Sequence, residues 1–170
     1  SYSNWAVCYM ATVSAGMVIV PILPDFSEVE LEKILEHSEA KALCVSDKLY
    51  TKVSKERVAK SNIVIRTKNL SVLAQNVSEQ GSMAEPKPED LAAIIYTSGT
   101  TSSPKGVMHT HQSLCSQLHL LQNLYPIHRD DVWLSVLPLS HTYECSLGML
   151  FPMSRGSNVT YLDRPPTVSV

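Results

Sequence analysis

The 170-residue sequence lacks a marked excess of either charge, since 14 basic residues stand against 16 acidic ones. This balance gives no electrostatic reason to expect nucleic acid or an anionic membrane surface as the main partner. The sequence also lacks a Cys-x-x-C pair, and its four cysteines are scattered: Cys8, Cys44, Cys115 and Cys145. That spacing argues against a zinc site and against a dense disulfide framework. The simplest inference is a reduced, cytoplasmic protein.

The first 24 residues lack any charged side chain, which raises the question of a signal peptide or a membrane span. No basic segment precedes them, and Gly16 and Pro21 interrupt the apolar run. Apolar residues at three- and four-residue spacing instead predict a buried helix that ends at Gly16, followed by a buried strand over 17–20. The sequence also lacks an initiator Met and begins inside this predicted helix, which we interpret as the mark of an excised piece.

Helix and strand signals alternate through the next part of the chain. Ser27 and Glu30 form a capping box that predicts a helix start. The runs 41–46 and 62–66 are rich in strand formers, and Asp47 is placed to cap a helix between them. Such alternation predicts the α/β class, with a largely parallel sheet flanked by helices.

A polar segment with two prolines interrupts this pattern at 79–90. We interpret it as a connector between a first α/β unit, 1–78, and a second unit, 91–170. The second unit opens on the apolar run from Leu91 to Tyr96, which predicts a buried strand. The sequence thus predicts two α/β units joined by a polar connector.

From Thr97 to Ser103 the chain lacks apolar side chains altogether and has six hydroxyl groups and Gly99. Such a segment cannot bury itself and needs polar partners, of which phosphate is one. Gly99 would let backbone N–H groups approach an oxyanion, and Lys105 adds a mobile positive charge. Gly106 would permit the positive φ of a turn into the next strand.

Hydroxyl-rich surface loops have a similar composition, so composition alone does not decide between the two interpretations. The order of the segments favours a loop that binds an anion. The sequence runs from an apolar strand through the hydroxyl-rich loop and Pro-Lys-Gly to a second apolar strand. The spacing excludes an ordinary P-loop. Five residues separate Gly99 from Lys105, and Gly106 stands where Ser or Thr should follow the lysine.

The whole stretch from Tyr96 to His111, YTSGTTSSPKGVMHTH, resembles the phosphate-binding signature of the adenylate-forming, acyl-activating enzymes. One position departs, since Ser102 stands where that family normally has Gly. The segments 11–24 and 137–144 are also similar to the family. The second of them, LPLSHTYE, looks most like the long-chain fatty acid–CoA ligases, although Cys145 replaces their usual Arg. The resemblance implies part of the large N-terminal domain of such an enzyme.

The resemblance also implies a reaction and its small-molecule partners. A carboxylate would attack ATP to give an acyl adenylate, and coenzyme A would then take the acyl group, with Mg²⁺ as the metal. Thr97 would also touch the Mg²⁺, and His141 would line the acyl and adenylate pocket. The implied ATP-binding residues are Thr97, Ser98, Gly99, Thr100, Thr101, Ser102 and Lys105.

For several residues around His141, the sequence alone does not decide between a structural and a functional interpretation. On sequence alone His141 is as well explained as a helix cap, and Glu144 is interpreted as structural. Tyr143 and the apolar residues after it fit either a pocket wall or plain core. His109 and His111 form an H-x-H pair, but no third metal ligand lies nearby in the sequence, which disfavours a metal site.

The sequence also lacks the family's remaining active-site segments. It has no Tyr-Gly-x-Thr-Glu, no Thr-Gly-Asp and no lid with a catalytic lysine, so no catalytic set is complete. We therefore expect the chain to be inactive in isolation. Two alternatives stay open: a synthetase for short or aromatic acids, and a nonenzymatic nucleotide-binding module. Oligomeric state and peripheral association of the parent protein with membranes also stay open.

Overall fold

The computed structural model describes residues 2–76, 85–97 and 105–162. Helix α1 (Tyr2–Ser14) opens this part of the chain, and Gly16 follows its end with a φ of 71°. The predicted helix and its glycine stop are therefore confirmed. The strand predicted at 17–20 is reduced to a single parallel bridge between Ile19 and Ala93, with Met17 and Val18 exposed.

Helix α2 (Glu28–His37) begins with the predicted capping box. The Ser27 hydroxyl accepts a hydrogen bond from the Glu30 backbone, and the Glu30 carboxylate accepts one from the Ser27 backbone N–H at 2.9 Å. The helix buries Ile34 and Leu35, as its spacing predicts. The local sequence thus determines both the start of this helix and the face that it buries.

The first sheet has three strands and two short helices between its first pair: β1 (Ala42–Val45), α3 (Asp47–Tyr50), α4 (Lys55–Lys60), β2 (Ile63–Arg66) and β3 (Val72–Gln75). Strand β1 is parallel to β2, and β2 is antiparallel to β3. Ser46, rather than Asp47, caps α3, because its hydroxyl accepts from the Leu49 N–H. Asp47 instead forms an ion pair with Arg66 at 2.8 Å.

Two further pairs of strands follow. Strands β4 (Leu91–Thr97) and β5 (Lys105–Thr110) form an antiparallel hairpin, and Thr110 caps helix α5 (His111–Leu124). Strands β6 (Val132–Ser135) and β7 (Asn158–Tyr161) are parallel. Between them lie a π-helix, Glu144–Leu150, and helix α6 (Phe151–Ser154).

The α/β class is confirmed, and the strand pairing is mixed rather than largely parallel. The antiparallel pairs occur where the connection is short: five residues join β2 to β3, and seven join β4 to β5. A parallel connection needs a crossover of about a dozen residues or more, so these two pairs are hairpins. The division into units 1–78 and 91–170 with a connector stays a prediction.

Two clusters form the buried core of the described residues. One joins α1 to the segment after β6 through Tyr9, Leu139 and Met149. The other joins α2 to β4 through Ile34 and Tyr96, with Phe26 beside them. No helix within the described ranges is both long and apolar enough to cross a membrane.

Candidate functional site

Strand β4 is a buried strand that ends at the surface. Ala92 and Ala93 are fully buried, Ile95 and Tyr96 nearly so, and Thr97 is exposed. A strand covered on both faces has a near-continuous apolar sequence, which explains the run before the hydroxyl-rich stretch. The last residue of β4 therefore carries the first hydroxyl of that stretch out of the core.

The hairpin brings the two ends of the hydroxyl-rich stretch together. Thr97 is the cross-strand partner of Lys105, and Tyr96 is the partner of Gly106. Thr97 and Lys105 are both exposed, so a hydroxyl and a lysine lie side by side at this end of the hairpin. The other residues predicted to bind ATP lie outside the described residues, and their roles stay predictions: Ser98, Gly99, Thr100, Thr101 and Ser102.

Gly106 is needed for a different reason from the one that the sequence suggested. It lies within β5 and is not among the glycines with positive φ, which in the described residues are Gly16 and Gly156. A Cβ atom at Gly106 would lie 2.8 Å from Ile94 Cγ2 and 3.2 Å from Tyr96 Cζ. The side chains of β4 thus occupy the space that a residue at this position would fill, and the prediction of a positive φ is wrong.

Replacing Gly106 with Ala is expected to lower the free energy of unfolding by about 1–3 kcal/mol. Ile94 is β-branched and has little rotamer freedom with which to avoid the new methyl group. Urea unfolding measures the change, and Met108→Ala, at an exposed position of the same strand, is the matched control. If the Gly106 variant unfolds at the same urea concentration as the wild type, the close packing described above is wrong.

The residue just before Thr97 is tied to helix α2. The Tyr96 hydroxyl and His37 Nδ1 lie 2.6 Å apart, and the two rings meet edge to face with centroids 5.8 Å apart. Burial raises the pKa of the Tyr96 hydroxyl. The two residues are 59 positions apart, so nothing in the local sequence indicates this contact. The contact holds the end of β4 against α2.

His141 lies after β6, at the start of the helical segment that becomes the π-helix. Its Nδ1 accepts a hydrogen bond from the Tyr143 N–H at 3.3 Å, and its backbone carbonyl accepts one from the Cys145 N–H. These bonds are those of a helix cap, one of the two interpretations left open by the sequence. The imidazole is exposed. Within the described residues, no hydrogen bond or ion pair joins it to Thr97 or Lys105, and its place in an acyl pocket stays a prediction.

Glu144 is buried and structural, as predicted. Its Oε1 accepts hydrogen bonds from the Ser135 hydroxyl at 2.5 Å and from the Val136 N–H at 3.0 Å. A Cβ atom at Gly148, one turn along the π-helix, would collide with the Glu144 carboxyl group. The π-helix therefore directs Glu144 inward to hold the end of β6, next to the turn that carries His141.

The apolar residues after Tyr143 mostly belong to the core. Met149 is fully buried against α1, whereas Tyr143 is 60% exposed. The core interpretation therefore holds for Met149, and Tyr143 is left at the surface. Within the ranges that the structure describes, no group of three or more His, Cys, Asp or Glu is placed to hold a metal ion. Among those residues, His109 and His111 gain no third ligand.

Comparison with known proteins shows which family the chain resembles. The model of the AMP-binding enzymes matches residues 2–169. Among curated relatives, mitochondrial malonate–CoA ligase of Xenopus laevis is 32% identical over 98% of this chain and 30% of its own length. Indigoidine synthase of Streptomyces lavendulae is 31% identical over 75% of this chain and 10% of its own length.

A solved structure has a similar fold. ATP-bound MatB from Rhodopseudomonas palustris superposes with a TM-score of 0.78 at 25% identity, over 95% of this chain and 33% of that chain. The chain thus spans about a third or less of the length of each of these three relatives. What it shares with the solved structure is a section of an α/β fold.

Proposed function

Because the chain belongs to the AMP-binding enzyme family, we propose that it is part of an acid–thiol ligase. Such an enzyme activates a carboxylic acid with ATP and passes the acyl group to coenzyme A. The observation that carries the proposal is the hairpin, which sets Lys105 beside Thr97 at an exposed strand end. In open α/β sheets, ligands bind beyond such ends.

The first step is the attack of a carboxylate oxygen on the α-phosphorus of ATP. An acyl–phosphate bond forms, the bond to the β-phosphate breaks, and pyrophosphate leaves. Two unit negative charges at 4 Å repel by roughly 4 kcal/mol at an effective dielectric of 20. That barrier corresponds to nearly three powers of ten in rate. In the second step the thiol sulfur of coenzyme A attacks the acyl carbon, a thioester bond forms, the bond between the acyl carbon and the AMP oxygen breaks, and AMP and the thiol proton leave.

Lys105 and the hydroxyl groups would offset this repulsion. The ammonium of Lys105 and the Thr97 hydroxyl would contact the β- and γ-phosphates and hold the leaving group in line. The remaining donors would come from Ser98, Gly99, Thr100, Thr101 and Ser102, with Ser102 in place of the usual glycine. His141 would lie at the acyl and adenylate end of the site.

The residues present fit Mg²⁺ only in part. The Thr97 hydroxyl is the hard oxygen ligand that this ion prefers. The described residues supply no acidic cluster, so the phosphates of ATP would provide most of the remaining ligands. When bound, the ion would neutralise charge on the leaving pyrophosphate. The described residues would contribute one oxygen, that of Thr97, and the neighbouring charge of Lys105.

The acid has two candidate classes. The LPLSHTYE segment favours a long-chain fatty acid, whereas the similarity to malonate–CoA ligases over almost the whole chain favours a short acid. The exposed His141 and Tyr143 are compatible with either class. We retain the fatty acid as the first candidate and the short or aromatic acid as the second.

The deciding experiment measures pyrophosphate release by the full-length protein with ATP, Mg²⁺ and a panel that includes malonate, anthranilate and palmitate. We expect acid-dependent release, followed by formation of the matching acyl-CoA. A maximum at palmitate supports the fatty acid, and a maximum at malonate or anthranilate supports the second candidate. ATP binding without release for any acid overturns the ligase and favours a nonenzymatic nucleotide-binding module. The 170-residue chain alone is expected to release none.

A further inference from the structure

The side chain of Tyr96 crosses the hairpin one residue before the pair formed by Thr97 and Lys105. Its cross-strand partner is Gly106, which directly follows Lys105. A Cβ atom at Gly106 would lie 3.2 Å from Tyr96 Cζ and 3.4 Å from Tyr96 Cε1, so the far end of the ring lies over the backbone of β5. The ring therefore covers both strands next to the residues proposed to bind the phosphates.

This ring is held in place by α2 and by the segment just before it. Tyr96 is 3% exposed and packs in one core cluster with Phe26 and Ile34. Its hydroxyl lies 2.6 Å from Nδ1 of His37, the last residue of α2, and the planes of the two rings are 88° apart. The core thus fixes the body of the ring, and His37 fixes its polar end.

Packing alone does not require the hydroxyl of Tyr96. A phenylalanine would fill the same core space and would need no hydrogen-bond partner, whereas a buried hydroxyl needs one. The bond to His37 adds a direction that apolar packing lacks, because hydrogen bonds depend on the angle at the donor. Successive side chains of a strand point to opposite faces, so the next residue, Thr97, leaves the strand on the other face. The bond therefore fixes the strand end from which Thr97 projects.

We propose that His37 is a positioning residue for the ligase reaction and that it acts through Tyr96. The imidazole fixes the Tyr96 hydroxyl, and the ring fixes the two strands at Tyr96 and Gly106. The hydroxyl of Thr97 and the ammonium of Lys105, on the adjoining residues, are thereby kept in register for the β- and γ-phosphates of ATP. The inference rests on the proposed function, since it concerns the same phosphate site.

The test measures kcat and KM for ATP in the full-length protein, as pyrophosphate release with the acid of the panel that reacts fastest. His37→Ala and Tyr96→Phe are each expected to lower kcat about tenfold and to change KM less than about twofold. The phosphate-binding groups remain in both variants but are less well aligned. His119→Ala and Tyr125→Phe, at exposed positions in and at the end of α5, are the matched controls and should keep the wild-type kcat.

Double variants separate positioning from a general loss of folded protein. If His37 acts through the hydroxyl, His37→Ala combined with Tyr96→Phe should be no slower than either single variant. In a Lys105→Ala background, His37→Ala should lower kcat by less than about threefold, because one of the groups that it positions is missing. A loss of stability would instead lower kcat by the same factor in both backgrounds.

A conservative variant gives a further readout. His37→Asn keeps a polar atom bonded to Cγ, as Nδ1 is in histidine, so its kcat should stay within about threefold of the wild type. Urea unfolding of each variant shows whether the proteins compared are folded. Wild-type kcat in His37→Ala, or an equal loss in the Lys105→Ala background, would overturn the role of His37 and leave the ligase intact. Absence of pyrophosphate release by the wild type with every acid would overturn the ligase and this inference together.

Discussion

Replacing Lys105 with Ala is expected to lower kcat/KM for ATP by on the order of 10²–10³ in the full-length protein. Lys105 is exposed at the start of β5, beside Thr97. It takes part in none of the three ion pairs found within the described ranges, so no protein carboxylate there competes for its charge. The effect is expected mainly in kcat, because the charge on the pyrophosphate grows as the bond to the α-phosphate breaks.

Two variants control this experiment. Lys87→Ala removes another exposed lysine, before β4, and should leave kcat/KM unchanged. Lys105→Arg keeps the charge but changes the donor geometry, so a partial loss is expected. Because Lys105 is exposed, its removal should not alter urea unfolding. A Lys105→Ala enzyme that keeps wild-type kcat/KM would show that this lysine does not act on the phosphates.

The largest expected effect on stability comes from Glu144→Ala, which should lower the free energy of unfolding by about 2–4 kcal/mol. The Ser135 hydroxyl and the Val136 N–H both donate to this carboxyl group. Ser135 is itself buried, so its hydroxyl would lose its acceptor without gaining access to water. The removed side chain would also leave a void beside Gly148. Urea unfolding measures the loss.

A second substitution tests the cause of this loss. Gly148→Ala alone should destabilise the chain, since its methyl group would meet the Glu144 carboxyl group. In the Glu144→Ala background that collision is absent, so the two losses should not add. Glu36→Ala, on the exposed side of α2, is the control and should change stability by less than about 0.5 kcal/mol. Strict additivity would mean that Glu144 does not fill the space above Gly148.

The features that the sequence predicted well depend on neighbouring residues. The capping box of Ser27 and Glu30 and the glycine stop of α1 each involve residues a few positions apart. The buried strand before Thr97 was also evident, because a strand covered on both faces needs an apolar run. The residues that make these contacts are close together in the sequence, so the contacts could be predicted before the structure was known.

The features that could not be predicted from the sequence depend on residues far apart in the chain or on backbone geometry. The contact between His37 and Tyr96 joins residues 59 positions apart, and nothing near either one indicates it. The π-helix has no composition of its own, and its effect appears only where Glu144 reaches Ser135. The reason for Gly106 was missed in the same way, because the side chains that exclude a Cβ there belong to the opposite strand.

The hairpin also has a consequence for the order in which the chain folds. Thr97 and Lys105 are brought together by closing a loop of seven residues, whereas the pairing of β6 with β7 closes the much longer connection 136–157, which contains the π-helix and α6. Short loops cost less entropy to close, and loops of about ten residues close in roughly 10–100 ns. The strand ends that would face the phosphates can therefore meet early, before the pairing of β6 and β7 is complete.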